Sequence, residues 1–112
     1  MKNYTRIVFA LALCCASLFG QTVSSSIVGA VVDPADAVIS GAPVTLTSVD
    51  TGATRIGTTD SLGTYRFTNV EAGIYNVTVK ATGFKSETQT GIVVTAQETH
   101  NAGKMILALG SV

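Results

Sequence analysis

Few residues in this chain could carry chemistry, and their spacing argues against most reactions. His100 is the single histidine, whereas a zinc site draws on two or three His or Cys ligands, so His100 reads as an exposed, turn-side residue. Asp60 and Glu71 are a carboxylate pair by composition only. A strand and two turns separate them, and each stands where a turn needs an acceptor, which leaves no acid/base couple. Ser24, Ser25 and Ser26 have no base partner and read as a flexible leader. The acidic residues show no clustered spacing of the kind a calcium loop requires. No catalytic, cofactor-binding or metal-binding residue is assigned, and no cofactor is expected.

The two cysteines, Cys14 and Cys15, fall within an N-terminal segment that sets the address. Lys2 and Arg6 flank a polar start, Ile7 to Gly20 is apolar apart from Ser17, and Gln21-Thr-Val-Ser-Ser-Ser26 follows. This is the layout of a secretory signal. The apolar run falls short of the about 20 residues that a spanning helix needs. Cleavage after Gly20 or after Ala16 fits, and Gly20 is favoured because it leaves the polar run at the new terminus. Leu11-Ala-Leu-Cys14 loosely resembles a lipobox, but Leu13 stands where a small residue is expected. After cleavage the chain would have no thiol in an oxidising compartment, and the fold would hold by packing alone.

The remainder is one small domain. It carries seven acidic residues against five basic ones, a net −2. That near balance, with the cations scattered, excludes a nucleic-acid surface or a polybasic membrane patch. Thr, Val and Gly are abundant, and no sustained 3.6-residue period follows residue 21, so the chain is all-β.

The expected strands follow the period-2 pattern. They are Ser26 to Asp33, with Gly29 at a bulge or a close backbone approach; Val44 to Val49; and Thr54 to Thr59, with Ile56 on one face. The first strand stops at Asp33-Pro34, and Asp36 to Pro43 is a loop. Asp60 to Gly63 is a turn in which the Asp60 carboxylate accepts from amides two or three residues on and Gly63 takes positive φ. Tyr65 and Phe67 enter the core above Val70. Tyr75, Val77, Val79 and Ala81 line one face of the longest strand, and Ile74, Asn76, Thr78 and Lys80 the other. Phe84 covers one end. Ser86 to Thr90 is a polar edge strand, Ile92 to Thr95 a further strand, and Thr99 to Leu109 the last, with Met105, Leu107 and Leu109 on one face.

The stretch Asp60-x-x-Gly63-x-Tyr65-x-Phe67, then Val70, Gly73-x-Tyr75-x-Val77-x-Val79 and Gly83-Phe84 resembles the carboxypeptidase regulatory-like domain. The likeness covers roughly residues 25 to 109, and Gly41-Ala-Pro43-Val44 matches a further phrase of that family. The resemblance implies a seven- to eight-stranded antiparallel β-sandwich, transthyretin-like and of Greek-key type. It implies no peptidase activity, because the zinc-binding catalytic domain is absent from this sequence. Related collagen-adhesin domains hold a Lys–Asn isopeptide bond, but the first strand here has no Lys to form one.

The expected organisation is therefore a signal peptide over 1–20, a flexible leader over 21–25, the sandwich over 26–109 and a C-terminal end over 110–112. That end, Leu107-Ala-Leu-Gly-Ser-Val112, reads as cut from a longer protein. The resemblance suggests a non-catalytic accessory or interaction module of an exported envelope protein. Such domains form the N-terminal extension of TonB-dependent outer-membrane receptors, in the periplasm or at the outer membrane. Its partners would be neighbouring domains or envelope proteins, with membrane association only through a larger parent. The alternative is a carbohydrate-binding module, which needs surface aromatic platforms. Trp is absent, and Tyr65, Phe67, Tyr75 and Phe84 all fall at core-compatible positions. Loss of the ring of Phe67 or Tyr75 would then cost about 3–5 kcal/mol each, a large share of so small a domain's stability.

Overall fold

A computed structural model describes residues 24–110 of the protein. The signal segment, the cleavage sites, the cysteines and leader residues 21–23 lie outside the described residues. Seven strands form, β1 (Ser25–Val32), β2 (Pro43–Ser48), β3 (Thr54–Thr58), β4 (Thr64–Val70), β5 (Gly73–Val79), β6 (Glu87–Val94) and β7 (Thr99–Ile106). They make two sheets, ordered β4-β1-β7 and β3-β2-β5-β6. The all-β sandwich is as the residue pattern implies, with one exception to its antiparallel character. β1 and β7 run parallel. Side-chain alternation has the same period in either direction, so it carries no information on strand polarity.

The core lies between the sheets. Ile27 and Val31 of β1, Val44 and Leu46 of β2, Val77 and Val79 of β5 and Leu107 after β7 are all but inaccessible to solvent. Tyr65 and Phe67 join them with 4% of their surface exposed, their ring centroids 6.0 Å apart and their planes tilted by 56°. Gly29 sits directly against Tyr65. A Cβ at this position would overlap the phenol ring and its hydroxyl, so the close backbone approach expected of Gly29 is made to an aromatic ring of the neighbouring strand.

Several sequence expectations shift by a residue or a face. Ser25 belongs to β1 and not to a flexible leader. It is 2% exposed, and its hydroxyl donates to the Thr95 carbonyl at 2.5 Å. The two strands expected over Ser86–Thr90 and Ile92–Thr95 are one strand, β6, with an extra residue accommodated at Gly91 (φ 69°). Val70 is in the core as expected, but by way of a bulge, since strict alternation after Tyr65 and Phe67 would turn Asn69 inward. Instead Asn69 adopts φ 55°, β4 gains a residue relative to β1, and Val70 takes the core position. Leu109 is exposed rather than aligned with Met105 and Leu107, because β7 ends at Ile106 and the chain then bridges to Phe84. Ile56 points outward.

Tyr75 is only half-buried against the core, at the end of the sandwich rather than within it, and its hydroxyl donates to the Glu71 carbonyl at 2.7 Å. Truncating it therefore removes less packing than truncating Phe67. In urea unfolding, Phe67→Ala is expected to cost about 3–5 kcal/mol and Tyr75→Ala about 1–2 kcal/mol. Gly29→Ala, which forces the Tyr65 ring off its seat, is expected to cost about 1–3 kcal/mol. Equal losses for Phe67→Ala and Tyr75→Ala, or a neutral Gly29→Ala, would contradict this packing.

Candidate functional site

The residues singled out for chemistry are not brought together. Asp60 closes the β3–β4 turn. Its Oδ1 accepts from the amides of Leu62 (2.9 Å) and Thr64 (3.0 Å), and its Oδ2 accepts from the Thr64 hydroxyl (2.6 Å). Gly63 takes φ 72° beside it, as the turn requires. The Thr64 hydroxyl first, and then the backbone donors, hold the Asp60 carboxyl below its ordinary 3.8. Glu71 lies in the β4–β5 turn, where its backbone carbonyl rather than its side chain serves as the acceptor for Tyr75.

His100 is on β7 and half-buried, not on an exposed turn. Its Nδ1 lies 3.4 Å from Glu98 Oε1. The Glu98 carboxyl is held below its ordinary 4.5, mainly by the Thr95 hydroxyl at 2.5 Å and secondarily by His100. This pair ties the start of β7 to the preceding turn. Among the described residues no group of three or more His, Cys, Asp or Glu could hold a metal ion.

Two of the surface depressions lie beside residues already described. The larger, about 690 Å³, is a shallow trough on the outer face of the three-stranded sheet. Short side chains of Val28 and Ala30 form its floor, and Arg66 and Asn101 stand on its flanks with Lys104, which is paired to Asp36 at 3.0 Å. The smaller, about 260 Å³, opens at one end of the sandwich between the β2–β3 and β4–β5 turns. Tyr75 lies in it with Asp50, Glu71, Arg55 and Asn69. Burial raises the Tyr75 phenol above its ordinary 10.0, and the Glu71 and Asp50 carboxylates add to the rise while Arg55 opposes it.

Arg55 is the residue that sequence reading passed over. Its guanidinium lies 5.6 Å from the Phe67 centroid, and its Nη1 donates to the Thr68 carbonyl at 2.7 Å. A lone Arg in a polar strand gives no sign that it will span from one sheet to the other. Thr59 was likewise not singled out. Its buried hydroxyl donates to the Ile39 carbonyl (2.7 Å) and accepts from the Ala42 amide (2.9 Å), which pins the loop ahead of β2.

The family model for the carboxypeptidase regulatory-like domain matches residues 26–107. The chain belongs to the carboxypeptidase regulatory-like domain family. This family is a non-catalytic β-sandwich, in keeping with the scattered chemistry above. No curated protein matches the sequence. Among solved structures, the Bacillus anthracis TIE protein is 18% identical with a TM-score of 0.62, over 78% of this chain and 17% of that one. A type II cohesin–X-dockerin complex of Acetivibrio cellulolyticus is 19% identical (TM-score 0.58), over 77% of this chain and 58% of that one. The dioxygenase domain of a dioxygenase carbohydrate-binding protein fusion from Streptomyces sp. SirexAA-E is 11% identical (TM-score 0.60), over 82% and 84%. At these identities the likeness is one of fold. The carboxypeptidase regulatory-like chain spans less than two thirds of each of the first two proteins.

A carboxyl whose folded pKa is depressed adds stability that is complete above its unfolded value, near 3.8, and is lost as pH falls through the lower folded value. Asp60→Asn is therefore expected to flatten the acid limb of the stability–pH curve below about pH 4, as read by thermal melts. An acid limb unchanged in slope would show that the Asp60 charge is not what the turn uses.

Proposed function

We propose that the protein is a non-catalytic interaction module of an exported envelope protein, and that it acts in the periplasm as the N-terminal extension of a TonB-dependent receptor. One observation carries the reading. The residues that make the family motif distinctive, Tyr65, Phe67, Val70, Val77 and Val79, are spent on the core, so strand edges and turns are what the surface can offer a neighbour. The charged start and apolar run of residues 1–20 support export. No acid/base pair or metal-ligand set among the described residues supports an enzymatic role. Partners would be adjoining domains of the parent receptor or other envelope proteins.

A second reading, carbohydrate binding, is favoured by one feature. Tyr75 is not fully buried but lies in the end cleft beside Asp50, Glu71 and Arg55. An aromatic face with carboxylate acceptors and a guanidinium donor suits a sugar ring, with its apolar faces and peripheral hydroxyls.

Fractionation of cells expressing the full chain is expected to recover it in the periplasm and with the envelope, with its mature N-terminus at Gln21. Recovery as a freely secreted protein unassociated with the envelope would overturn the receptor reading. In glycan-array and affinity-gel assays, retention that is lost in Tyr75→Ala would favour the second reading, and the absence of any retention would remove it.

A further inference from the structure

The two sheets have four edges, and three of them are interrupted in the same way. β4 carries an extra residue relative to β1 around Asn69 (φ 55°), β7 one relative to β1 around Gly103 (φ 78°), and β6 one relative to β5 around Gly91 (φ 69°). A bulge of this kind bends the strand and breaks the regular spacing of the groups along its outer edge. β3 is different. Its pairing with β2 runs without a shift from Pro43↔Thr58 to Thr47↔Thr54.

The phase of that ladder determines which groups of β3 are free. The Ser48 amide donates to the Ala53 carbonyl at 2.8 Å. Alternation along the antiparallel pair then turns the amides and carbonyls of Arg55 and Gly57 toward β2, and those of Thr54, Ile56 and Thr58 away from it. β3 pairs with β2 alone. A regular edge of β-branched residues is thus left open, with Ile56 at its centre and 75% exposed.

We infer that this edge pairs with a second copy of itself. An antiparallel approach on a twofold axis at Ile56 sets Ile56 opposite Ile56 of the other copy and Thr54 opposite Thr58. These are the three residues whose backbone groups point outward, so these three facing pairs are the hydrogen-bonded ones, giving about six bonds in all. The same register sets Arg55 opposite Gly57. No like charges meet, and the side chain on the core side that is committed to Thr68 and Phe67 faces a residue with no side chain. Ile56 covers Ile56 on the outer face, with threonines on both sides. The four-stranded sheets of the two copies become one continuous sheet of eight strands. Shifting the register by one residue would face outward groups against inward ones and would oppose Arg55 to Ile56 or Thr58, so the twofold register is the one that satisfies both the backbone and the side chains.

Five residues of edge bury much less than the roughly 800 Å² per partner of a standard interface, so the dimer is weak and depends on concentration. Crowding of copies in an envelope would favour it. The inference rests on the interaction-module reading only in using a strand edge as the contact, and the two fail separately. Fractionation tests the address, and self-association tests the edge.

Sedimentation of the exported chain across concentrations up to roughly 1 mM is expected to show a monomer–dimer equilibrium. Ile56→Lys, which sets two ammonium groups on the axis, is expected to weaken association at least about tenfold, with an unchanged melting temperature because the side chain is outside the core. With Cys14 and Cys15 absent or replaced by serine, Ile56→Cys is expected to be joined into dimers by a short bismaleimide. Leu62→Cys, equally exposed but in a turn, is not. A wild-type chain that stays monomeric throughout, an Ile56→Lys variant that dimerises as the parent does, or equal linking of the two cysteine variants would overturn the inference.

Discussion

Tyr65 packs directly against the backbone of β1 because Gly29 leaves it room, and the rest of the sandwich is arranged around that contact. The ring of Tyr65 fills the space that a side chain at position 29 would claim, and the Phe67 ring packs tilted beside it. Together they occupy the gap between the sheets at the point where β1 is hydrogen-bonded to β4 on one side and β7 on the other. No disulfide is available to residues 24–110, which contain no cysteine. Apolar burial and close packing must therefore supply the stability that a small domain can otherwise draw from crosslinks.

Polar groups reinforce that core at its margins. Asp60 gathers the donors of its own turn, Thr59 ties the loop ahead of β2, and Ser25 anchors the first strand to the turn before β7. Among the described residues no buried side-chain polar atom lacks a partner, so hydrogen bonds offset the desolvation of these hydroxyls. Arg55 does a similar service at the rim, covering Phe67 with its guanidinium while reaching the β4 backbone. The same placement keeps its charge off the outer face of β3, which is why that face is left with threonines and Ile56.

Much of the fold was legible because its signals are local. Asp60 three residues before Gly63 specifies a turn, and alternation in Tyr65–Phe67 and Val77–Val79 specifies an inner face. What was misread depended on where a strand stops being regular. Gly91 inside β6 looks like a break between two strands, yet in place it is one extra residue in a continuous strand. The core place of Val70 was legible, but the bulge at Asn69 that delivers it there was not. Tyr75 has the same spacing to Val77 as Tyr65 has to Phe67, but it comes at the end of the sheet, where the opposite layer no longer covers it. Its half-open ring beside Asp50, Glu71 and Arg55 is a site that only assembly creates, since those residues come from three separate segments.

The sequence by itself determined the all-β class, the positions of the main turns, the two aromatic residues at the centre and the scarcity of chemistry, since each of these depends on near neighbours and a period of two. Tertiary structure decided the parallel pairing of β1 with β7, the bulges, the cleft at Tyr75 and which edge is open. Those depend on register and strand direction between residues distant in the chain. Backbone hydrogen bonding is nearly indifferent to side-chain identity, so such relations leave only a faint trace in the order of residues.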